Sequence, residues 1–197
     1  MTSVEDARLA SALSAIDEAN AEDPERIDFD GEARPKQVVN AERASFWLRR
    51  LVADPSPDQE IAARAHHLRR WELSRADFEE GRAGYLRWRT EQKRRQVAAV
   101  TDILTKVGYE ADFVGRVADI ISKKGLGTDP EVQAHEDALC LVFLELELDD
   151  LASRLGDDRT VEILTKTLGK MSDAAVGVAV GVELSGHARS LLNRAVR

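Results

Sequence analysis

The stretch Ala63–Glu72, read as A-R-A-H-H-L-R-R-W-E, concentrates the side chains of this sequence that could do chemistry. It holds two of the four histidines, three arginines and a tryptophan. If the stretch is helical, at about 100° per residue, His67 lies at the edge of the apolar stripe beside Leu68, whereas His66 points towards solvent. The pattern therefore predicts a candidate site around His67, because an imidazole is a feasible metal ligand.

Four polar residues fall within the apolar faces of separate predicted helices: Glu42, His67, Gln96 and Asp137. An unpartnered carboxylate in an apolar interior is costly, so Asp137 requires a cation, a hydrogen-bond donor or a proton. Carboxylate, imidazole and amide oxygen are all feasible ligands for a divalent metal. The pattern predicts that these four residues could share one pocket and hold a divalent metal cation.

Each of the four also has a structural interpretation, as a surface residue, a core histidine or a side chain that bonds a loop backbone. Glu42 could pair with Arg49 on the surface of its own helix. Asp137 could be neutralised by an arginine such as Arg87 or Arg89. The sequence alone leaves the metal site and these structural roles as open alternatives.

The elements that must position these residues are predicted to be helices. Prolines number only 5 and hydrophobic residues make up 43% of the chain, which favours an all-α fold with a substantial core. Periodicity and capping signals predict helices over Val4–Ala19, Pro35 to about Val52, Pro57–Ser74, Asp77–Val107, Asp112–Lys124, Pro130–Leu148, Asp158–Lys170 and Ser185–Ala195.

The remaining segments are predicted to be connections. Asn20–Arg34 is expected to be an irregular loop with an Asp-Gly turn, and the small-residue stretch Ala174–Gly181 is expected to join the last two helices. We expect a single domain over residues 1–197, with a helical core at about 35–150 and a C-terminal helical extension at about 151–197.

Composition also limits the cellular setting. The one cysteine, Cys140, excludes an internal disulfide, and no apolar run approaches the roughly 20 residues that span a bilayer. The acidic N-terminus is not typical of a signal peptide, so a reducing cytoplasm is the simplest expectation. His135 and His187 are expected to be structural or exposed.

The segment Arg64–Arg95 is basic, although the chain carries a formal net charge of −8. It contains ten Lys or Arg residues and five Asp or Glu residues. A local anion site and a solvated charged face are equally good interpretations. The overall charge argues against duplex DNA as a partner and makes RNA binding, which the interleaved aromatic residues would suit, a minor alternative.

Four longer motifs resemble a known family: E-R-A-S-F-W-L-R-R-L, A-H-H-L-R-R-W-E, G-Y-L-R-W-R-T and H-E-D-A-L-C-L-V-F-L-E. The family is a bacterial and fungal group catalogued as domain of unknown function four-two-zero-two, and the similarity extends from about Ser11 to the C-terminus. More distantly, the order of the motifs is similar to that of the HD-domain phosphohydrolases. Those enzymes bind one or two divalent metals and hydrolyse phosphate esters, often of nucleotides.

The HD-domain resemblance implies a helical HD-like core and a particular ligand set. Glu42 stands where the first His would be, His67 matches the His of the His-Asp pair, and Asp137 matches the final Asp. Leu68 replaces the Asp of the pair, so a two-metal mechanism is not expected. Gln96 stands where the unknown-function family has a His. The implied metal is therefore held by Glu42, His67 and Asp137, with Gln96 at the margin.

A metal held in this way would polarise a phosphoryl oxygen and activate a bound water, with Glu72 or Glu136 as general base. Basic side chains would neutralise the phosphate of a nucleotide or other small phosphoester. Those expected to do so are Arg87 and Arg89, followed by Arg70, Lys123 and Lys124. The alternative is a catalytically inactive module whose pocket binds a nucleotide or another anion, or that serves protein interaction.

Overall fold

The computed structural model describes residues 4–196, and in that range the chain is all-α, as predicted. One small antiparallel hairpin, of β1 (Arg26–Phe29) and β2 (Glu32–Pro35), is its sheet. The helices are α1 (Val4–Ala21), α2 (Lys36–Leu51), α3 (Pro57–Arg64), α4 (Gly81–Val107), α5 (Ala111–Ser122), α6 (Pro130–Leu146), α7 (Leu148–Leu155), α8 (Asp157–Leu168), α9 (Asp173–Ala179) and α10 (Gly186–Ala195).

The hairpin lies in the segment that was predicted to be an irregular loop, so that prediction was wrong. The predicted Asp-Gly turn is present, because Asp30 (φ 56°) and Gly31 (φ 79°) both adopt the left-handed conformation that a tight hairpin turn requires. The strands were missed because four residues are too few to show a convincing period of two.

Helix α3 begins as predicted and ends early. Ser56 and Gln59 form a capping box, in which the Ser56 amide donates to Gln59 Oε1 at 3.0 Å, and Pro57 occupies the first turn. The prediction that this helix continues to Ser74 was wrong, because it stops at Arg64. His67 (φ 60°) and Arg69 (φ 53°) then adopt left-handed backbone conformations that no α-helix contains.

Two short 3-10 turns, Arg70–Glu72 and Arg75–Asp77, connect this region to α4, which starts at Gly81 rather than at Asp77. The later start has a local cause. The Arg75 guanidinium donates to the carbonyls of Phe78 and Glu79 at 2.9 Å each, and these bonds stabilise the connection as a turn.

The second half of the chain contains the predicted helices and two further ones, α7 and α9, that were not predicted. Asp129 caps α6 by accepting from the Glu131 amide at 2.9 Å, and this helix ends at Leu146, close to the predicted end at Leu148. The small-residue stretch that was predicted to be a connection instead contains α9, which Ser172 caps by accepting from the Ala175 amide at 3.2 Å.

The core consists of two apolar clusters that both include residues of α3 and α6. One cluster joins α1, α3, α4 and α5 and contains Ile16, Ile61 and Leu104. The other joins α2, α3 and α6 to the C-terminal helices α7–α10 and contains Leu48 and Leu141. Helices α3 and α6 therefore pack in both apolar clusters and connect them, and burial of this apolar surface stabilises each cluster. Among residues 4–196, no helix has the length and apolar character needed to span a membrane.

Candidate anion-binding site

A cavity opens where the residues after α3 meet α4, the end of α5, and α6. It has an inner chamber of about 70 Å³ and an outer chamber of about 450 Å³. Six residues line both chambers, so the two are adjacent. The shared residues are His66, His67, Arg70, Arg89, Lys123 and Leu139. We refer to the whole space as the histidine cavity.

Residues 65–73, which we call the histidine segment, are held in place by one face of α4. Gln96 donates its amide to the Ala65 carbonyl at 2.8 Å, and Gln92 donates to the Arg70 carbonyl at 2.8 Å. Trp88 donates its indole N–H to the Leu73 carbonyl at 3.2 Å. Because these three donors are spaced four residues apart, they share a helix face and satisfy the carbonyls of a non-helical segment.

The two adjacent histidines both face the cavity. Their rings stack with centroids 3.7 Å apart and an interplanar angle of 29°. The prediction that His66 meets water was wrong, because His66 is buried, whereas His67 is half-buried. The reason is the left-handed backbone at His67, which places two consecutive side chains on the same side of the chain.

A third histidine, His135 of α6, lines the inner chamber and is only 1% exposed. Burial, and then the charge of Lys123, lowers its pKa to about 3. Burial also lowers the pKa values of His66 and His67 well below the usual range, with smaller contributions from neighbouring positive charge. All three imidazoles are therefore neutral at pH 7.

Cationic side chains dominate the remaining polar lining. Six of them line the histidine cavity, against the two carboxylates Glu136 and Glu147. The six are Arg70, Arg89, Lys93, Lys123, Lys166 and Lys170. This excess of positive charge is local, because the chain as a whole carries a net charge of −8.

The cationic groups are held by specific contacts. Arg70 lies over the Trp88 ring, 4.8 Å from its centroid, and burial lowers its pKa without removing its charge. Arg89 donates to the Tyr85 hydroxyl at 3.2 Å. Lys123 forms an ion pair with the buried Glu136 carboxylate. Within residues 4–196, Arg70 and Arg89 have no carboxylate partner and so remain available to an anion.

The structure brings together six of the residues that the sequence singled out. His67, Gln96 and Glu136 line the histidine cavity with three of the predicted phosphate contacts. Those contacts are Arg70, Arg89 and Lys123. Gln96 acts there as a donor to the backbone, which was the structural alternative considered for it.

Two of the predicted metal ligands lie elsewhere and are already satisfied. Glu42 is half-buried and pairs with Arg34 at 2.8 Å, not with Arg49. Asp137, at 3% exposure, accepts from the Ser172 amide at 2.9 Å and from the Ser172 hydroxyl at 2.6 Å. Within residues 4–196 no arginine pairs with Asp137, and its carboxylate is stabilised by these two donors and by the Gln133 amide at 2.9 Å.

Three other predicted site residues do not line the cavity. Glu72 is exposed and lies 3.8 Å from Arg69, so it is not placed as a general base. Arg87 pairs with Glu79, and Lys124 pairs with Asp119 at 3.0 Å. Both cations point away from the cavity, although their sequence neighbours Arg89 and Lys123 line it.

The predicted metal-ligand set does not fit a metal centre. Glu42 and Asp137 have protein partners, and the Gln96 amide donates to a carbonyl, as described above. In the described part of the chain, no three His, Cys, Asp or Glu side chains are grouped so that they could hold a metal ion. The polar side chains that line the cavity are therefore mainly cations and neutral imidazoles.

Several lining residues were not identified from the sequence. They are His66, Gln92, Lys93, His135, Lys166 and Lys170. The four-residue spacing of Gln92 and Gln96, and of Lys166 and Lys170, was a signal that could have been used. His135 was expected to be structural or exposed, and it is buried beside the inner chamber, whereas His187 is exposed and lies 3.2 Å from Asp157.

The fold and the cavity define a class: an all-α protein with a cationic, histidine-lined cavity between helices. The chain belongs to the family Domain of unknown function (DUF4202), whose sequence model matches residues 10–192. No curated protein and no solved structure matches the chain.

Proposed function

We propose that this protein binds a small phosphorylated molecule in the histidine cavity. The observation that carries the proposal is the excess of cationic over anionic side chains around one concave site in an acidic protein. A phosphate group suits this lining because arginine presents paired N–H donors to two phosphate oxygens. Such ligands are also attracted to the site from a distance by its local positive potential.

Two features support a phosphate rather than a purely electrostatic contact. Arg70 and Arg89 are oriented by Trp88 and Tyr85, which lowers the entropy that each arginine loses on binding. Neutral imidazoles add donors without adding charge. The cavity is therefore built to combine charge with directed hydrogen bonds.

A matched pair of variants tests the proposal. Arg87 and Arg89 lie on the same helix, and only Arg89 lines the cavity. We expect Arg89→Ala to weaken binding of pyrophosphate or a nucleoside monophosphate by about 10- to 100-fold, since a hydrogen bond to a charged group contributes roughly 1.5–3 kcal/mol. Arg87→Ala should leave the affinity within about twofold, because its exposed pair with Glu79 contributes little.

Isothermal titration calorimetry at two salt concentrations measures both effects. The affinity of wild-type protein should fall as salt rises, because the attraction is electrostatic. Equal losses in the Arg87 and Arg89 variants, or no binding of any phosphate compound at millimolar concentration, would contradict the proposal.

Hydrolysis of the bound phosphoester is the second candidate, and it is favoured by the neutral His66 and His67 imidazoles beside the cations. A neutral imidazole can accept a proton from an attacking water. A metal-dependent, HD-like version of this reaction requires ligands other than Glu42 and Asp137. Release of phosphate from para-nitrophenyl phosphate, with and without Mn²⁺, tests it. Turnover that is unchanged in His66→Ala and His67→Ala would exclude these histidines from the reaction.

A further inference from the structure

The two chambers of the histidine cavity differ in size and in chemistry, and this difference bears on which phosphorylated molecule fits. The inner chamber, at about 70 Å³, has room for about five water-sized groups, the number of heavy atoms in a phosphate. Its lining is mainly polar, and Ile121 and Leu139 are its apolar residues.

The inner chamber also contains a buried polar side chain that lacks a partner. His135 Nδ1 makes no hydrogen bond within the described residues, although buried ring nitrogens of histidine are normally satisfied. Together with the cations Arg70, Lys93 and Lys123 on the walls, this imidazole makes the inner chamber the better place for the phosphate group.

The outer chamber is much larger and has an apolar wall. Leu139 and Phe143 of α6, Leu151 of α7 and Ile163 of α8 are each half-buried and line it. Tyr85 of α4, which is 43% exposed, adds a second aromatic ring. Covering such surface with an apolar group is favourable by roughly 25 cal/mol for each Å² removed from water, and aromatic groups gain most because of their size.

From these observations we propose that the ligand is a phosphomonoester of an aromatic group, with its phosphate in the inner chamber and its ring in the outer chamber. This inference rests on the proposed phosphate-binding function and specifies its ligand class. The apolar wall selects against small polar esters, while the polar inner chamber selects for the phosphate that both kinds of ester share.

Three probes with the same head group test the inference: inorganic phosphate, ethyl phosphate and phenyl phosphate. Calorimetry on the full chain should show phenyl phosphate binding about tenfold or more tightly than ethyl phosphate, because the ring removes additional apolar surface from water. Equal affinities for the two esters would overturn the ligand class and leave phosphate binding intact. If none of the three probes binds, the proposed phosphate-binding function itself is wrong.

Variants then locate the ring. Phe143→Ala and Tyr85→Ala should reduce the ratio of phenyl to ethyl affinity by at least threefold. Tyr85→Phe, which keeps the ring and removes only the hydroxyl, should preserve the ratio. Leu86→Ala is the matched control, because Leu86 is exposed on α4 and lines neither chamber. An undiminished ratio in both the Phe143 and Tyr85 alanine variants would show that the ring does not bind in the outer chamber.

Discussion

Asp137 offers the sharpest test of whether the polar residues inside the helices are structural or bind a metal. Its carboxylate receives three hydrogen bonds, from the Ser172 amide, the Ser172 hydroxyl and Gln133, at 2.9, 2.6 and 2.9 Å. The two bonds from Ser172 connect α6 to the N-cap of α9, whereas the bond from Gln133 lies within α6. Asp137→Ala removes all three acceptor contacts and leaves the donors in a site that water reaches poorly.

The expected loss follows from the fate of each donor. The Ser172 amide loses its acceptor, the Ser172 hydroxyl can turn towards the remaining partners, and Gln133 keeps its bond to the Lys170 carbonyl at 2.8 Å. Because one buried donor, the Ser172 amide, is left unsatisfied at a cost of roughly 1–3 kcal/mol, we expect Asp137→Ala to reduce the free energy of unfolding by about 1–3 kcal/mol. In a chain of this size that loss lowers the Tm by roughly 2–12 °C.

Urea denaturation with and without EDTA provides the measurement. Asp150→Ala is the control, because Asp150 is exposed and pairs only with its helix neighbour Arg154, so its loss should change stability by less than about 0.5 kcal/mol. A loss below about 1 kcal/mol in Asp137→Ala would refute the structural role. The structural role would also be refuted if EDTA lowers the stability of the wild-type protein and leaves the stability of the Asp137 variant unchanged.

Three further predictions concern the cavity. Gln96→Ala should reduce the free energy of unfolding by about 1 kcal/mol, because the Ala65 carbonyl loses one of its two donors and keeps the Leu68 amide. Glu136→Gln should tighten phosphate binding by about threefold to tenfold in calorimetry, since Lys123 no longer pairs with a competing carboxylate. His135, whose pKa is about 3 when folded against about 6.5 when unfolded, contributes stability that is present above pH 6.5 and lost as pH falls towards 3. His135→Gln should therefore lose about 2 kcal/mol less stability than wild type between pH 8 and pH 5.

Contrary outcomes are specific to each variant. Unchanged stability in Gln96→Ala would mean that the histidine segment is held by other contacts. Weaker phosphate binding in Glu136→Gln would show that the carboxylate assists the ligand instead of competing with it. Parallel pH dependence of wild type and His135→Gln would mean that His135 can become protonated without loss of the fold.

The sequence could not predict which of the basic side chains line the cavity and which do not. Arg87 and Arg89 stand two residues apart in one motif, and Lys123 and Lys124 are adjacent. The helix face separates the first pair. In the second pair, α5 ends and Lys123 takes a left-handed conformation that leaves it with Glu136 and leaves Lys124 with Asp119.

The sequence by itself determined the all-α fold, most helix boundaries and the location of the histidine motif. These follow from local properties: capping residues, prolines at helix starts, glycine at the end of α4 and a clear apolar periodicity. Charge counts alone also showed that the segment Arg64–Arg95 is basic, and they left a local anion site and a solvated face as alternatives.

Only the tertiary structure decided which polar residues meet. The sequence of the histidine motif predicts a helix, yet two of its carbonyls, at Ala65 and Arg70, accept from side chains of α4. The left-handed backbone at His67 places the side chain of His66 on the cavity side. The sequence pattern suggests that Asp137 is an unpartnered carboxylate, but in the folded protein Ser172, at the start of α9, donates to it. In each case the deciding hydrogen bond joins residues far apart in the chain, and a periodicity argument includes only near neighbours.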